Sequence, residues 1–261
     1  MRAVVRWVFS LPACCIVLGR ESANFVQRDL RVPAQRIEVV VNGVPEPLRP
    51  RAREPQRVGL ARLLFVGNLS DRKGVPELLQ ALAMPLLASR PLEVILAGGG
   101  DTRAYQAMAR RLGLTDRVQF AGWANQEQVA QWMSQADVLV LPSHDEGLPL
   151  VILEALASSV AVVCTPVGEI PHMLQDGVQA RFVTPGDVNG LAHTLAALLD
   201  DAATRAALAR NGRSLYEQTF SLPRFFDQIA AIHTRHFGVC GRRTLDSEAT
   251  RPRGASSPAT P

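Results

Sequence analysis

The sequence is poor in the residues that several classes of binding protein require. Aromatic residues make up only 5% of the 261 positions, so stacking platforms are scarce and nucleic-acid binding is not indicated. Four cysteines are present, and none of them forms a C-x-x-C pair. Cys14 and Cys15 are adjacent, which suits neither an ordinary disulfide nor a zinc site. With Cys164 and Cys240, they predict free thiols and a reducing compartment.

Long apolar runs are also missing. Beyond the N-terminal segment no uninterrupted apolar run of about 18 residues occurs, so no membrane span is predicted. Residues 1–19 imitate a secretory signal, because two early arginines precede an apolar run. The alternative is a short helix followed by a buried strand over Ala13–Leu18. We favour the strand because of the segments that follow it along the chain.

The remaining composition is that of an ordinary globular protein, with 47% hydrophobic and 20% charged residues. The length allows one large domain with a core, or two small ones. The net charge of +4 suits a phosphate-bearing ligand or an anionic membrane surface. This net charge is equally compatible with a protein that binds neither a phosphate-bearing ligand nor a membrane.

Short apolar runs of strand length alternate with amphipathic stretches of helix length. Their β-branched residues and their Gly, Pro or Asn borders predict strands buried on both faces of a parallel sheet. The predicted strands are Cys14–Leu18, Ile37–Val41, Leu63–Val66, Glu93–Ala97, Val118–Phe120, Val138–Leu141 and Ala161–Cys164. The predicted helices are Glu21–Leu30, Val75–Ala88, Tyr105–Leu112, Gln126–Gln135, Leu150–Ser158, Val188–Leu199, Ala202–Phe220 and Leu222–Phe237. This alternation predicts an α/β fold with a doubly wound parallel sheet.

The segment after the strand at Leu63–Val66 has the features of a phosphate-binding loop. Gly67 permits a tight turn, Asn68 follows it, and Arg72 and Lys73 bring two cations to the start of the next helix. Free N–H groups, the helix dipole and two cations together favour a phosphate. A solvated basic loop is the alternative interpretation, and this segment alone does not exclude it.

Three glycines, beginning at Gly98, follow the strand at Glu93–Ala97. They allow the backbone to approach a ligand closely. Because position 103 is Arg103, the segment does not complete a G-x-G-x-x-G pattern, and dinucleotide binding is not indicated. A glycine turn without a ligand fits nearly as well.

Two carboxylates, Glu146 and Glu154, flank the start of the predicted helix after Val138–Leu141. Pro149 suits the first position of that helix, and its free amides can hold a phosphate. Glu154 lies in an otherwise apolar helix, where an unpaired carboxylate is costly. A carboxylate accepts hydrogen bonds well from the vicinal hydroxyls of a ribose or hexose. Pairing of Glu154 with a neighbouring cation is the alternative, but the complete pattern favours a ligand site.

The pair Glu146-x7-Glu154, within E-G-L-P-L-V-I-L-E-A, resembles the signature of retaining glycosyltransferase family 4. Members have the GT-B architecture of two facing Rossmann-like domains. The resemblance runs from about Cys15 to about His236 and implies that this chain is the C-terminal, donor-binding half, with C-terminal helices. Further segments agree in order and spacing, namely Asn42–Val44, Leu64–Gly74, Val118–Gly122, Ala136–Pro142, Asp176–Gly177 and Pro185–Asp187.

The resemblance implies roles for individual residues. Glu146 and Lys73 would be catalytic, with Glu146 at the hydroxyls of the donor sugar and Lys73 at the diphosphate leaving group, and Glu154 would bind the ribose. The other donor-binding residues would be Gly67, Asn68, Arg72, Gly98, Gly147, Leu148, Pro149, Leu150 and Val151. No D-x-D pattern occurs, so neither a metal nor a cofactor is expected.

The chain departs from the family pattern at Asn68, where arginine is common, and at Ala180, where glycine is common. Residues 165–172 also differ from the usual G-G-x-P-E. The larger departure is that few residues precede Cys15, where the family has an acceptor domain. Residues 1–45 are therefore expected to be the end of that domain and the linker. Residues 46–238 would be the Rossmann-like domain with its helices, and residues 239–261 a disordered tail.

The expected function is a metal-independent hexosyl transfer, with retention, from a nucleotide-diphosphate sugar. A truncated chain would mainly bind the donor. The alternative is a non-catalytic nucleotide-sugar-binding subunit of a split transferase, which needs a separate acceptor-domain protein. The expected acceptor is a glycan or a lipid-linked sugar. The expected location is the cytoplasm, with at most peripheral contact at the inner face of the membrane.

Overall fold

The structure, a computed structural model, describes residues 2–49 and 60–238. The strands in this part of the chain are β1 (Cys15–Val17), β2 (Ile37–Val39), β3 (Ala61–Val66), β4 (Leu92–Ala97), β5 (Val118–Gly122), β6 (Val138–Leu141), β7 (Ala161–Cys164) and β8 (Arg181–Phe182). The helices are α1 (Arg2–Ser10), α2 (Arg20–Arg28), α3 (Val75–Ala83), α4 (Pro85–Ala88), α5 (Thr102–Arg111), α6 (Gln126–Gln135), α7 (Leu150–Ala157), α8 (Ile170–Met173), α9 (Val188–Asp200), α10 (Ala202–Leu215) and α11 (Leu222–Phe237).

Six strands form one parallel sheet in the order β5-β4-β3-β6-β7-β8. Every residue of β6 and β7 is buried, because these central strands are apolar and helices cover both faces. The predicted doubly wound, Rossmann-like fold is therefore confirmed. Strand β8 has no apolar run of its own and was not predicted.

The chain reverses its direction of winding in the middle of this sheet. From β3 it proceeds outward through β4 to β5, and it then returns to place β6 on the other side of β3. The carboxyl ends of β3 and β6 thus flank the topological switch point, where ligands bind in open α/β sheets. The loops at residues 67–73 and 142–149 follow these two ends.

Two predicted helices are shorter than expected. The helix predicted over Val75–Ala88 is interrupted at Met84, because Pro85 has no N–H to continue the hydrogen-bond ladder and begins a new turn. The helix predicted over Ala202–Phe220 ends at Leu215, and a π-helical turn, Tyr216–Phe220, follows it.

Strands β1 and β2 form a separate two-stranded parallel sheet. The prediction that these runs are buried on both faces is wrong, since Ile16 is 46% exposed and Val39 is 45% exposed. Ile16 shares one face of the sheet with Glu38 and Val39 shares the other with Val17, so neither face is fully covered. We call residues 2–40 the N-terminal unit; its own buried core consists of Val17, Val26 and Val32.

Helix α11 joins the two sheets. At its start, the backbone of Val44 pairs with Phe220 and Leu222, and a side chain on Gly43 would collide with Cβ of Phe225. At its end, Arg235 and His236 hydrogen-bond to Glu38 of β2, at 2.5 and 2.9 Å. The helix therefore reaches from the six-stranded sheet back to the N-terminal unit.

Large apolar side chains are exposed mainly near the N-terminus. Of thirteen among the described residues, nine lie within residues 2–49, namely Val4, Trp7, Val8, Leu11, Ile16, Leu18, Phe25, Val39 and Leu48. None of the helices formed by the described residues is long and apolar enough to cross a membrane.

The predicted division into residues 1–45 and 46–238 stays a prediction, and the predicted tail at 239–261 lies outside the described residues, as does Cys240. The three described cysteines are free. Cys164 is fully buried, whereas Cys14 and Cys15 are half-buried. Burial raises the pKa of the Cys15 and Cys164 thiols.

Candidate functional site

The site begins with the loop that follows β3. Its backbone rests on the glycine turn after β4, since Leu69 N donates to Gly99 O at 2.6 Å. Gly98 has φ of 143°, and a Cβ there would lie 1.8 Å from the carbonyl oxygen of Gly67. Any side chain at Gly98 would therefore push the loop away. Gly67 and Gly98, both predicted to bind the donor, are in mutual backbone contact.

A short 3₁₀ turn, Asp71–Lys73, lies between this loop and α3. The hydroxyl of Tyr105 on α5 donates to Asp71 Oδ1 at 2.7 Å. Burial, and then the hydrogen bond to Asp71, raise the pKa of Tyr105. The phenol therefore stays a donor and holds the turn in place.

The turn directs Lys73 at Glu146, in the loop after β6. Lys73 Nζ lies 2.6 Å from Oε1 and 2.7 Å from Oε2 of Glu146. The side chains are only 15% and 5% exposed, respectively. A buried pair with such geometry strongly fixes both groups. The two residues predicted to be catalytic are thus brought into direct contact.

Two buried hydroxyls support Glu146. Ser143 Oγ donates to Glu146 Oε1 at 2.6 Å, and Thr165 Oγ1, after β7, donates to the carbonyl of Ser143 at 2.5 Å. Both residues are fully buried. The sequence analysis missed them, although Ser143 lies within the recognised segment and Thr165 follows a predicted strand.

Lys73 is the one lysine of the chain; the other basic residues among the 28 Lys and Arg are arginines. An ammonium is a compact point charge with three donors, whereas a guanidinium is a planar fork. The compact ammonium group of Lys73 lies between the two carboxylate oxygens of Glu146 and the open side of the loop. It can therefore contact both this carboxylate and a phosphate.

Arg72 lies at the surface of the same turn. Its Nη1 donates to the carbonyl of Asp145 at 3.2 Å and lies 3.4 Å from the Asp145 carboxylate. The backbone N–H of His144 donates to the carbonyl of Arg72 at 2.8 Å. These hydrogen bonds connect the loops after β3 and β6 at the switch point. The side chain of Arg72 is more than half exposed.

Helix α7 begins at Leu150, one residue later than the position given to Pro149, which instead occupies the N-cap with an extended backbone. The first backbone N–H groups of a helix have no partner within the helix. Those of Leu150 and Val151 therefore face the same end of the sheet as Lys73. Gly147 and Leu148 connect Glu146 to this helix start.

Glu154 lies on α7 beside a cleft of about 320 Å³. It makes no hydrogen bond or ion pair with any residue that the structure describes. Burial raises the pKa of its carboxyl group. The alternative, in which Glu154 pairs with a neighbouring cation, is thus not observed. The lining of the cleft is Pro45, Glu46, Pro47, Leu48, Val66, Ala124, Gln126, Val129, Ala130, Met133, Glu154, Ala157 and Ser158.

Sequence reasoning found only Glu154 of this lining. Ala124 and Gln126 follow the strand that was matched to the one before the base-binding loop, so that signal was available. Pro45, Pro47 and Leu48 gave none, because their position depends on the path of the chain between β2 and β3. Within residues 2–49 and 60–238, no three His, Cys, Asp or Glu side chains are grouped to hold a metal ion.

Solved structures share this architecture. The crystal structure of HepE from Anabaena in complex with UDP and glucose matches with a TM-score of 0.75 and 24% identity, over 89% of this chain and 66% of that chain. At this identity the likeness establishes the fold, which is that of one half of a GT-B glycosyltransferase with additional elements.

Curated proteins are similar in sequence. D-inositol 3-phosphate glycosyltransferase from Arthrobacter sp. is 34% identical over 251 residues, covering 93% of this chain and 57% of that protein. Alpha-D-kanosaminyltransferase from Streptomyces kanamyceticus is 27% identical over 237 residues, covering 87% of this chain and 61% of that protein. The chain thus spans about three fifths of the length of these relatives. The family profile described as glycosyl transferases group 1 matches residues 61–201, and the chain belongs to this family.

Proposed function

We propose that this chain is the donor-binding part of a retaining, metal-independent glycosyltransferase of family 4 that uses a nucleotide-diphosphate sugar. One observation carries the proposal. Lys73 pairs with Glu146, Glu154 is unpaired, and all three lie in loops and helices at the carboxyl ends of the strands that flank the switch point. This is the arrangement of charges that a nucleotide diphosphate with two sets of sugar hydroxyls requires.

Lys73 is proposed to neutralise the diphosphate. When the bond between the sugar carbon and the diphosphate oxygen breaks, negative charge builds on the leaving group. A fixed cation stabilises that charge most where water is excluded. Lys73 is largely buried and already held by Glu146. Its ammonium group has three donors, so it can contact a phosphate while it keeps one bond to the carboxylate.

Glu146 is proposed to accept hydrogen bonds from hydroxyls of the transferred hexose. Ser143 and Lys73 both donate to Oε1, and Lys73 also reaches Oε2. Each carboxylate oxygen has two lone pairs, so acceptor capacity remains for a sugar. The N–H groups of Gly147, Leu148, Leu150 and Val151, with Asn68 and Arg72 in the loop after β3, are proposed to contact the sugar and the distal phosphate.

Glu154 is proposed to bind the ribose hydroxyls. Its unpaired carboxylate is costly in the free protein and would gain partners only from a ligand. The apolar lining around it, which includes Val66, Ala124 and Met133, suits a flat base beyond the ribose. HepE was solved with UDP and glucose, which makes a uridine nucleotide the first donor to examine.

The acceptor is proposed to be a glycan or a lipid-linked sugar, held by an acceptor domain of which residues 1–45 would be the end. Activated sugar nucleotides are a cytoplasmic resource, so the site of action is proposed to be the cytoplasm, with at most peripheral membrane contact. The retained configuration of the product follows from the resemblance to family 4.

A second candidate function is a nucleotide-sugar-binding subunit of a split transferase. It is favoured by the nine large apolar side chains exposed within residues 2–49, because a concentration of exposed apolar side chains is typical of a region that contacts another domain or chain. Addition of a separate acceptor-domain protein would restore transfer under this candidate. A single longer polypeptide would transfer without any added chain.

The first experiment is calorimetric titration of the chain with UDP, GDP and ADP. We expect saturable binding of one of them, with the dissociation constant raised tenfold or more by Glu154→Ala and by Lys73→Ala, about 1.4 kcal/mol or more. Glu93→Ala is the matched control, because Glu93 pairs with Arg62 at the opposite end of the sheet. A folded chain that binds none of the three nucleotides would overturn the proposal.

A further inference from the structure

A buried carboxylate lies between the candidate site and the N-terminal unit. Glu169 precedes α8 and is only 2% exposed. Its Oε2 atom is buried and has no hydrogen-bond partner. A buried carboxylate with one unsatisfied oxygen is costly, so its place in the fold calls for a reason other than its own stability.

The side chain of Glu169 caps a helix that is remote in sequence. Its Oε1 accepts from the backbone N–H of Ser22 at 3.0 Å and from Ser22 Oγ at 3.2 Å, across 147 positions. Ser22 is the third residue of α2, so its N–H is one of those that a helix leaves unpaired. Gly19, at the N-cap of α2, has no side chain to supply a local cap.

The backbone of Glu169 is bonded to the loop that contains Glu146. Its N–H donates to the carbonyl of Gly147 at 3.1 Å. The preceding residue, Gly168, has φ of 57°, and a Cβ there would lie 1.9 Å from the carbonyl oxygen of Glu146. Residues 168–169 therefore pack directly on residues 146–147, with no room for a side chain at Gly168.

The carboxylate of Glu169 occupies the space that a side chain at position 19 would need. A Cβ on Gly19 would lie 2.2 Å from Cδ of Glu169 and 2.3 Å from its Oε2. The backbone of Gly19 is extended, a conformation that any residue adopts. The constraint at position 19 is therefore the space that the carboxylate occupies.

We propose that Glu169 is a positioning residue that couples α2 to the loop bearing Glu146. Its side chain fixes the N-terminus of α2, and its backbone fixes residues 146–147, so a displacement of one is transmitted to the other. This rests on the proposed function, in which the N-terminal unit lies on the acceptor side and Glu146 binds the donor sugar. Glu169 then fixes the position of these two parts relative to each other.

A second contact between the same elements is weaker. His172 Nε2 lies 3.1 Å from Glu21 Oε1, with side chains 33% and 60% exposed. Such exposed pairs contribute little. Glu21→Ala removes this contact on the same pair of elements and is the matched control for a change at Glu169.

The test is amide hydrogen exchange of the free protein at residues 20–28 and 143–150. We expect Glu169→Ala to raise exchange tenfold or more in both segments, whereas Glu169→Gln, which keeps an oxygen acceptor, and Glu21→Ala stay within about threefold of the native rate. A residue that only caps α2 would raise exchange at 20–28 alone, and that result would overturn the proposal.

Gly19→Ala approaches the coupling from the other side and serves if Glu169→Ala does not fold. Its methyl group displaces the carboxylate, so exchange should rise at 143–150 although the change lies in the N-terminal unit. Unchanged exchange at 143–150 in a folded Gly19→Ala protein would also overturn the coupling. Because neither measurement uses a nucleotide, failure to bind UDP, GDP or ADP would refute the proposed function separately.

Discussion

The two sheets of this molecule are built from similar sequence and end in different environments. Strands β6 and β7 are short, β-branched and completely buried, and the loops at their carboxyl ends form the candidate site. Strands β1 and β2 are equally short and β-branched, yet Ile16 and Val39 are nearly half exposed. The difference lies in what covers them: helices flank both faces of the large sheet, whereas each face of the small one keeps an exposed apolar side chain, Ile16 on one and Val39 on the other.

The comparison teaches that a short apolar run predicts a strand but not the layer that covers it. Around the large sheet a single core of buried apolar side chains extends from Val44 to Phe220. In the N-terminal unit three valines form the buried core. Stability should therefore depend on the first region, and the second should tolerate substitution.

Matched leucine substitutions test this difference and should give the largest effect. Leu139→Ala removes a fully buried side chain from β6 and should lower the free energy of unfolding by about 2–5 kcal/mol. Leu18→Ala, beside β1 at 41% exposure, should change it by less than about 1 kcal/mol. Urea denaturation measures both; similar losses would show that the N-terminal unit is covered in solution.

Removal of Lys73 should give the next largest effect. Lys73→Ala leaves Glu146 buried with only the Ser143 hydroxyl, and the loss of one partner from a buried pair costs about 3 kcal/mol. Lys73→Met combined with Glu146→Gln removes both charges and should recover most of that loss. If the double variant were no more stable than Lys73→Ala in urea denaturation, the assumed burial of the pair would be wrong.

Glu154→Gln should separate binding from stability. Burial raises the pKa of Glu154, so over the window between its usual and its raised pKa the folded chain holds a proton that the unfolded chain has lost. Wild-type stability therefore falls as pH rises through that window and stays lowered at neutral pH. The glutamine variant should melt at the same or a slightly higher temperature at pH 7, yet bind nucleotide at least tenfold more weakly.

The pH dependence of binding supplies the control for that variant. Nucleotide affinity of the wild-type chain should decrease as pH falls through the raised pKa of Glu154, because the protonated group loses one acceptor oxygen. The Glu154→Gln profile should lack this step. Identical profiles in calorimetry would exclude Glu154 from the binding site.

Glu38→Gln should give the smallest effect. Hydrogen bonds from His236 and then from Arg235 lower the pKa of Glu38, so its contribution is present above its usual pKa and is lost as pH falls through the lowered one. Since Arg235 is 61% exposed, the melting temperature should decrease by about 2 °C or less at pH 7. The difference from wild type should vanish on acidification; a large, pH-independent loss would indicate a packing role.

Strands β3 to β7 of the large sheet were accessible from sequence, because their apolar runs alternate with helical stretches. Glu146 and Lys73 were both predicted as site residues, but their direct pairing, across 73 positions, was not. Pro85 also indicated a break in the helix, but the prediction extended the helix past it. Strand β8 was not accessible from sequence, since Arg181 and Phe182 form a strand only because β7 offers an edge. Contacts such as Glu169 with Ser22 depend on packing across 147 positions and leave no local pattern.

The return of α11 to β2 also has a consequence for synthesis. Arg235 follows its partner Glu38 by 197 positions. Because ribosomes add about 5–20 residues per second, the contact can form only roughly 10–40 s after Glu38 is made. During that interval β2 lacks the contacts that Glu38 later makes with α11. The N-terminal unit thus gains its contacts with α11 only after α11 itself has been made.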